Sequence, residues 1–344
     1  MKKIIKFADL CSGMGGFRFA SENINLKKFK LKHIIASDID DKCEAVYKSI
    51  FGSKDIFEKD LKNLSVKSNQ FFKIFSKVDL VFAGFPCQPF SNIGNKKGLD
   101  DERGYLFFYL TEILKLYKPK FFIFENVQKI RNLKKGSTLS KIINILENCG
   151  YHVNTHDLNL KDYGLPQNRR RVFFCGYLKK KFNKKNILEP KKIELSKCKY
   201  PTTWHLLEKK MDLKHIVPKK TRNTVFKKND KWQGKLGIDN LIARPLTASM
   251  GKWHRSYQDN YFSKKFVTSN LNNFDKKKEV NLFKEEVRRV STLECLRLQG
   301  FPDNTEKYFI ENKISQTSSY KIIGNSVPVP LASAVISNFL KYFI

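Results

Sequence analysis

The chain is short of acid, has no closely spaced cysteines and carries no long hydrophobic run at its start. Each shortage closes off a class of protein. Its 344 residues hold 66 Lys and Arg against 33 Asp and Glu, a formal net charge of +33. A surplus of that size points to a polyanionic partner, nucleic acid before others. An AT-rich genome that inflates Lys is the plainer reading of part of it. The seven Cys are odd in number, scattered and without a Cys-x-x-Cys pair. That argues against a disulfide framework or a structural zinc site and suits a reducing cytoplasm. The six His are dispersed without ligand spacing, so no metal is expected. Lys2-Lys3 opens a short apolar stretch that soon meets Asp9, which predicts neither a signal peptide nor a membrane span. There are no repeats.

What is present reads as α/β. Apolar runs at 4–10, 33–37, 78–83, 120–124, 151–158 and 172–176 predict buried strands. Helical spacing lies between them at 17–24, 43–51, 106–117 and 139–149. This alternation implies a doubly wound, mostly parallel sheet with helices on both faces. After about Tyr177 the pattern lapses into a basic, irregular region running to about Val287. It contains Trp204, Trp232 and Trp253 and reads as a second, smaller domain. Ser291-Thr292-Leu293-Glu294 is a capping box that opens a helix through Leu298, stopped by Gly300 and Pro302. Residues 329–343 read as a terminal helix.

Two sets of residues carry chemistry. Asp9 to Phe17 ends a strand and opens a helix, and contains Gly13, Gly15 and Gly16. A dinucleotide fingerprint would need a third glycine at position 18, which is Arg18, so a dehydrogenase reading fails there. Asp38, about twenty residues on, closes the next strand and can accept hydrogen bonds from ribose hydroxyls. A ligand with adenosine and no phosphate, S-adenosylmethionine, fits both facts. A tight turn of no further purpose is the rival reading of the glycines. The second set is Pro86-Cys87-Gln88 past one strand, Glu125-Asn126 past another, and Arg169-Arg170-Arg171 before a third. A thiolate can add to C6 of a pyrimidine and make C5 a carbon nucleophile. Glu125, protonated in a partly desolvated site, can neutralise charge at N3. Arg169 and Arg171 can donate to the base carbonyl. An isolated Cys is more often a small buried hydrophobe; the company Cys87 keeps argues otherwise.

These segments resemble the bacterial DNA (cytosine-5)-methyltransferase family of restriction-modification systems. The resemblance runs through Gly84-Phe85-Pro86-Cys87-Gln88-Pro89-Phe90-Ser91, Glu125-Asn126-Val127, Tyr163 to Arg171, Arg289 to Pro302 and Gly324-Asn325-Ser326-Val327-Pro328, in that order and over nearly the whole length. It implies an enzyme that methylates C5 of a flipped-out cytosine in a short duplex site, with S-adenosylmethionine as donor and S-adenosylhomocysteine as product. Cys87 would be the nucleophile, Glu125 the N3 partner, and Arg171 with Arg169 the carbonyl contacts. Phe17, Gly13, Gly15, Asp38, Ile39, Asp60, Leu61, Pro86, Leu106, Asn325 and Ser326 would line the cofactor pocket. Ser91 and the loop to Gly98 would close over DNA. The terminal helix would pack back on the first domain, giving a discontinuous catalytic domain of 1–178 plus 320–344 and a target-recognition domain of 179–319 that includes the connecting segment 288–319.

Three positions depart from the family pattern: Cys11 for a usual Phe, Ile39 for a common aromatic, and Tyr109 where an acid is frequent. The middle block would grip phosphates and read base edges. Arg244, Thr247, His254, Arg255, Tyr257 and Gln258 are its candidate DNA contacts, although its Trp residues serve equally as core anchors. A monomer in the bacterial cytoplasm is expected, bound to double-stranded DNA and to no membrane. A cognate restriction endonuclease would act on the same site without forming a stable complex. Two rivals stand beside this reading. One is an RNA cytosine-5 methyltransferase, whose branch resembles this fold but carries Thr after a Cys-Phe pair. The other is a catalytically inactive DNA-binding protein of the same fold.

Overall fold

The computed structural model describes residues 2–52, 57–58, 66–85, 102–226, 237–254, 256–270 and 284–343. In chain order the elements are β1 (Lys3–Leu10), α1 (Gly16–Asn23), β2 (Phe29–Ser37), α2 (Asp41–Phe51), β3 (Phe57–Glu58), α3 (Asn69–Phe75), β4 (Leu80–Gly84), α4 (Glu102–Tyr117), β5 (Phe121–Val127), α5 (Ser137–Asn148), β6 (Tyr151–Asn159) and β7 (Arg170–Leu178). Next come α6 (Thr203–Leu206), α7 (Arg222–Phe226), β8 (Tyr261–Ser263), α8 (Lys264–Thr268), β9 (Val287–Arg289), α9 (Thr292–Gln299), α10 (Glu306–Glu311), α11 (Gln316–Asn325) and α12 (Val329–Leu340).

The chain forms two compact units. Unit 1 is Met1–Asn159, Arg170–Lys191 and Ser326–Ile344; unit 2 is Leu160–Arg169 and Lys192–Asn325. The sequence reading placed the breaks at 178/179 and 319/320. Residues 160–169 join unit 2 because they are stitched to its chain. Asn168 donates its N–H to Ala243 O (2.8 Å), Ala243 to Pro166 O (2.7 Å), and Leu246 to Gln167 Oε1 (3.0 Å).

Unit 1 is a seven-stranded sheet in the order β3-β2-β1-β4-β5-β7-β6. β1, β2, β3, β4 and β5 pair in parallel, and β7 runs antiparallel to both β5 and β6. The mostly parallel sheet read from the sequence is therefore present, with β7 alone reversed. Leu80 to Ala83 and Phe122 to Phe124 are wholly buried, as expected of strands covered on both faces. Strand order reverses between β1 and β4, which opens a crevice at the carboxyl ends of the strands. Helix α12 belongs to this unit, and Phe339 meets Phe121 edge-to-face at 5.8 Å. Gly16 is required at the start of α1, since a Cβ there would lie 2.4 Å from Val327 O.

Local signals act as their chemistry predicts. Ser291 and Glu294 form the capping box of α9, and Gly300 ends it at φ 82°. Helix α3 escaped the sequence reading, although Ser68 caps it and Phe71 stacks on Phe75 at 4.1 Å. Gln316–Phe343 contains an 18-residue stretch long and apolar enough to cross a membrane by composition, but 72% of that stretch is buried in the protein. It is also broken between α11 and α12, as befits core helices.

Candidate active site

In unit 1 the crevice is built where β1, β4 and β5 end. Gly84, the last residue of β4, marks its centre. A methyl group on Gly84 would lie 3.3 Å from Val327 Cγ2, 3.6 Å from Glu125 Oε2 and 4.0 Å from Cys11 O. Glu125 pairs with Arg171 across the β5–β7 junction, Oε1 to Nε at 2.6 Å, with side chains 10% and 11% exposed. Burial pushes the Arg171 guanidinium below its ordinary range, and the Glu125 carboxylate offsets part of that. A second Arg171 nitrogen donates to Arg170 O. Asn126 is buried, and its Nδ2 donates to Phe85 O at 2.9 Å. It thus holds the chain two residues before Cys87. Cys87 itself, with Pro86, Ser91, Asp60, Leu61 and Arg255, lies outside the described residues.

Beside this crevice β1 runs into a glycine loop. Cys11, Gly13 and Gly15 all take positive φ, at 54°, 55° and 89°. Asp38 orients the loop: one carboxylate oxygen accepts from Gly13 N–H at 2.7 Å, the other from Asp40 N–H at 3.0 Å. A Cβ at Gly13 would meet open space. Ile39, next to Asp38, is 67% exposed, an apolar surface at the mouth of the loop. Phe17 is buried and stacks on Phe82 at 4.8 Å. Leu106 packs on the sheet core, and Ser326 is buried. A backbone cradle, an oriented carboxylate and an apolar platform fit an adenosine-bearing group. Arg18 takes up the space a dinucleotide loop would leave open. It is buried, bonded to Glu22 and His33, and lies over the Phe51 ring at 4.5 Å. Burial, Asp38 and Asp9 push the Cys11 thiol well up, so Cys11 stays a neutral packing group.

Asp9 was not singled out by the sequence reading. It is fully buried at the end of β1, and its carboxyl oxygens have at most a weak contact with the Arg18 backbone N–H. Burial pushes its pKa up to about 8; Arg18 counters this and Asp38 adds to it. The only sign in the sequence is an acid inside an apolar run. Between pH about 4 and about 8 the folded chain keeps a proton that the unfolded chain releases, so stability falls as pH rises. We predict that Asp9→Asn loses this slope. Melting temperatures of variant and parent, measured across that range, should separate in the variant's favour toward pH 8. Parallel curves would contradict the assignment.

Unit 2 holds the remaining candidates. Arg169, expected on the base beside Arg171, is 1% exposed, and its two terminal nitrogens donate to Leu246 O and Gly324 O, each at 2.8 Å. That is a clamp on two backbone segments. Gln167 works with it: Nε2 donates to Leu298 O and Oε1 accepts from Leu246 N–H. Gly324 has to be glycine, because a Cβ would lie 2.7 Å from the Thr247 carbonyl. Thr247 is exposed on this clamped loop, as is Asn325 at the end of α11. Arg244 is held by its backbone to the Asn260 side chain. His254 Nδ1 lies 3.1 Å from buried Asp259, which orients the ring, while Tyr257 is half-buried and Gln258 exposed. Trp253 lies under the Arg289 guanidinium at 4.0 Å, and Trp204 donates to Ser269 O, so both act as anchors. Trp232 is outside the described residues.

Together the sheet, the adenosine-fitting cradle and the acid beside it define a methyltransferase of the S-adenosylmethionine-dependent α/β fold. Residues 5–341 match the family model described as C-5 cytosine-specific DNA methylase. The chain is 32% identical over 345 residues to the Type II methyltransferase M.DsaV of Dactylococcopsis salina, covering 99% of this chain and 87% of that one. It is 31% identical to M.HpaII of Haemophilus parainfluenzae, covering 99% and 90%. Among solved structures its fold is similar to the methyltransferase EhMeth of Entamoeba histolytica, with TM-score 0.78 at 20% identity and 100% of both chains covered. The S. pombe Dnmt2 methyltransferase is similar at TM-score 0.73 and 21% identity, with 99% of each covered. This chain belongs to the C-5 cytosine-specific DNA methylase family and is a DNA (cytosine-5)-methyltransferase.

Proposed function

We propose that the enzyme methylates C5 of one cytosine in a short duplex sequence, on a base swung out of the helix and bonded through C6 to Cys87. The observation that carries this reading is the buried Glu125–Arg171 pair beside Gly84, three residues before Cys87. An exposed thiol would have no such company.

The roles follow from placement. Asn126 fixes Phe85 O and so sets where the loop bearing Cys87 departs. The Cys87 sulfur bonds to C6 of the cytosine. Glu125 supports charge at N3, and Arg171 keeps the carboxylate oriented while offering N–H donors toward the base carbonyl. C5 becomes nucleophilic, takes the methyl group and loses its proton; the S–C6 bond then breaks. S-adenosylmethionine, when bound, supplies the electrophilic methyl. Gly13, Gly15, Asp38, Ile39 and Phe17 would hold it, with Asp60, Leu61, Pro86, Leu106, Asn325 and Ser326 assigned by family resemblance. Arg169 is assigned here as a positioning residue for the Leu246-Thr247 loop. Unit 2 would read the sequence with Arg244, Thr247, His254, Arg255, Tyr257 and Gln258. The duplex reading is preferred to RNA because the matching family model is one of DNA methylases. A monomer working in the cytoplasm beside a separate endonuclease completes the proposal.

Bisulfite sequencing of plasmid DNA from cells expressing the chain tests it. Protected cytosines should appear in a single short context. Unprotected plasmid DNA from cells with soluble enzyme, or a methyl group found on N4, would reject the reading.

A further inference from the structure

The turn after β7 is built to display charge far from the reaction. β7 is antiparallel to β5, with Arg171 opposite Val127 and Tyr177 opposite Phe121. Residues beyond Leu178 therefore lie at the opposite end of the sheet from Glu125, about 20 Å away by strand rise. Lys179-Lys180-Lys181 and Lys184-Lys185 are all exposed there. The turn is firmly held. Phe182 stacks on Phe121 at 5.3 Å and meets Phe343 at 4.9 Å. Lys185 N–H donates to Tyr177 Oη at 2.7 Å.

Two of these lysines have structural work. Lys179 Nζ donates to Glu147 O in the last turn of α5, and Lys185 lies 5.9 Å over the Phe343 ring. Lys180, Lys181 and Lys184 have no partner among the described residues. They follow a strand, so no helix dipole of their own element calls for cations. Across the sheet's strand order the same end presents Lys118 before β5, Lys77 before β4, Lys3 in β1 and Lys28 before β2, all exposed. Strands about 4.8 Å apart spread this row over about 19 Å. Of the carboxylates near it, Asp79 pairs with Lys120 and Glu22 with Arg18, and Glu147 lies beside Lys179 at one end of the row.

We propose that this lysine edge, centred on Lys180, Lys181 and Lys184, is a second contact surface for duplex DNA, independent of sequence and separate from the reaction site. Duplex DNA carries one negative charge per roughly 1.7 Å of axis, so a row of this length can neutralise several phosphates. A second segment of the same long molecule held there raises the effective concentration of DNA at the enzyme.

The test compares the K180Q/K181Q/K184Q variant with the parent on a cognate duplex of about 16 bp, which is too stiff to bend back from the reaction site to the opposite end of the sheet, and on DNA of about 500 bp, long enough to loop, over a salt series. The expected result is unchanged binding and methylation on the short duplex. On long DNA affinity should fall about tenfold, and the slope of log K against log salt should shrink by about 2–3. K180R/K181R/K184R should behave as the parent, and thermal melting should be the same for all three. Unchanged long-DNA binding would overturn the proposal. Equal loss on both lengths would assign the lysines to the reaction-site DNA and also overturn it. Unchanged binding to long DNA, with binding to phosphatidylglycerol vesicles measured in parallel and lost in the variant, would overturn it in favour of a membrane. Parent activity on the short duplex reports separately on the proposed methylation reaction.

Discussion

Cys87→Ala is expected to lower methylation of cytosine C5 by at least about 10³–10⁴-fold in kcat, while leaving binding to cognate duplex within a fewfold of the parent. The reason is chemical. C5 of cytosine is a poor nucleophile until something adds to C6, and a methyl side chain cannot add. Among the described cysteines of unit 1, Cys43, Cys149 and Cys175 are buried, and burial holds the Cys11 thiol neutral. Labelled S-adenosylmethionine with cognate duplex reads the loss. A duplex carrying 5-fluorocytosine at the target should become trapped on the parent enzyme, because fluorine cannot leave as the C5 proton does, and should not be trapped on the variant. Methylation of C5 by Cys87→Ala at the parent rate would reject the thiol as nucleophile and with it the covalent route.

The second large effect belongs to Glu125, and it should split in two. Glu125→Gln keeps the side chain's shape and its place beside Arg171, yet removes the carboxylate that supports N3. We expect kcat to fall about 10²–10⁴-fold, the range of a positioned acid–base group, with a smaller loss of stability than Ala causes, because the Gln oxygen still accepts from Arg171 although the charge is no longer compensated. Glu125→Ala removes the partner as well. Arg171 is then left with an uncompensated charge in a site where burial already disfavours it, a situation that costs about 3–5 kcal/mol. Denaturant unfolding of the two variants, alongside single-turnover methylation, separates the effects. If Glu125→Ala were as stable as the parent, the pair would be a surface contact of small worth. If Glu125→Gln kept full activity, the acid would have no part in the reaction.

Much of unit 1 was legible in the chain because its signals are local. Strands buried on both faces read as unbroken apolar runs, as at Leu80 to Ala83 and Phe121 to Phe124. The cap at Ser291 and the stop at Gly300 act within one turn of helix. Arg18 ruled out a dinucleotide loop by its type, and its contacts with Glu22, His33 and Phe51 show what occupies that space. Other features depend on partners remote in sequence. Arg169 and Arg171 are two residues apart and look interchangeable. β7 begins at Arg170, however, so Arg171 is carried on the strand beside Glu125, while Arg169, before the strand, reaches carbonyls 77 and 155 residues away. Asp9 offers no sequence sign of its raised pKa, because the desolvation comes from the layers packed around β1. His254 shows no sign in the sequence of the buried Asp259 that lies 3.1 Å from its Nδ1.

By itself the sequence determined the class of chemistry: a thiol, an acid and a guanidinium spaced along one α/β chain, with a glycine loop unsuited to pyrophosphate. Residue type sets what each group can donate, accept or attack, and type survives in one dimension. Tertiary structure alone decided which groups meet at Gly84, which arginine is a clamp, and that a firmly held lysine turn stands at the far end of the sheet. Those are matters of distance and burial, and they arise only when strands distant in the chain are laid side by side.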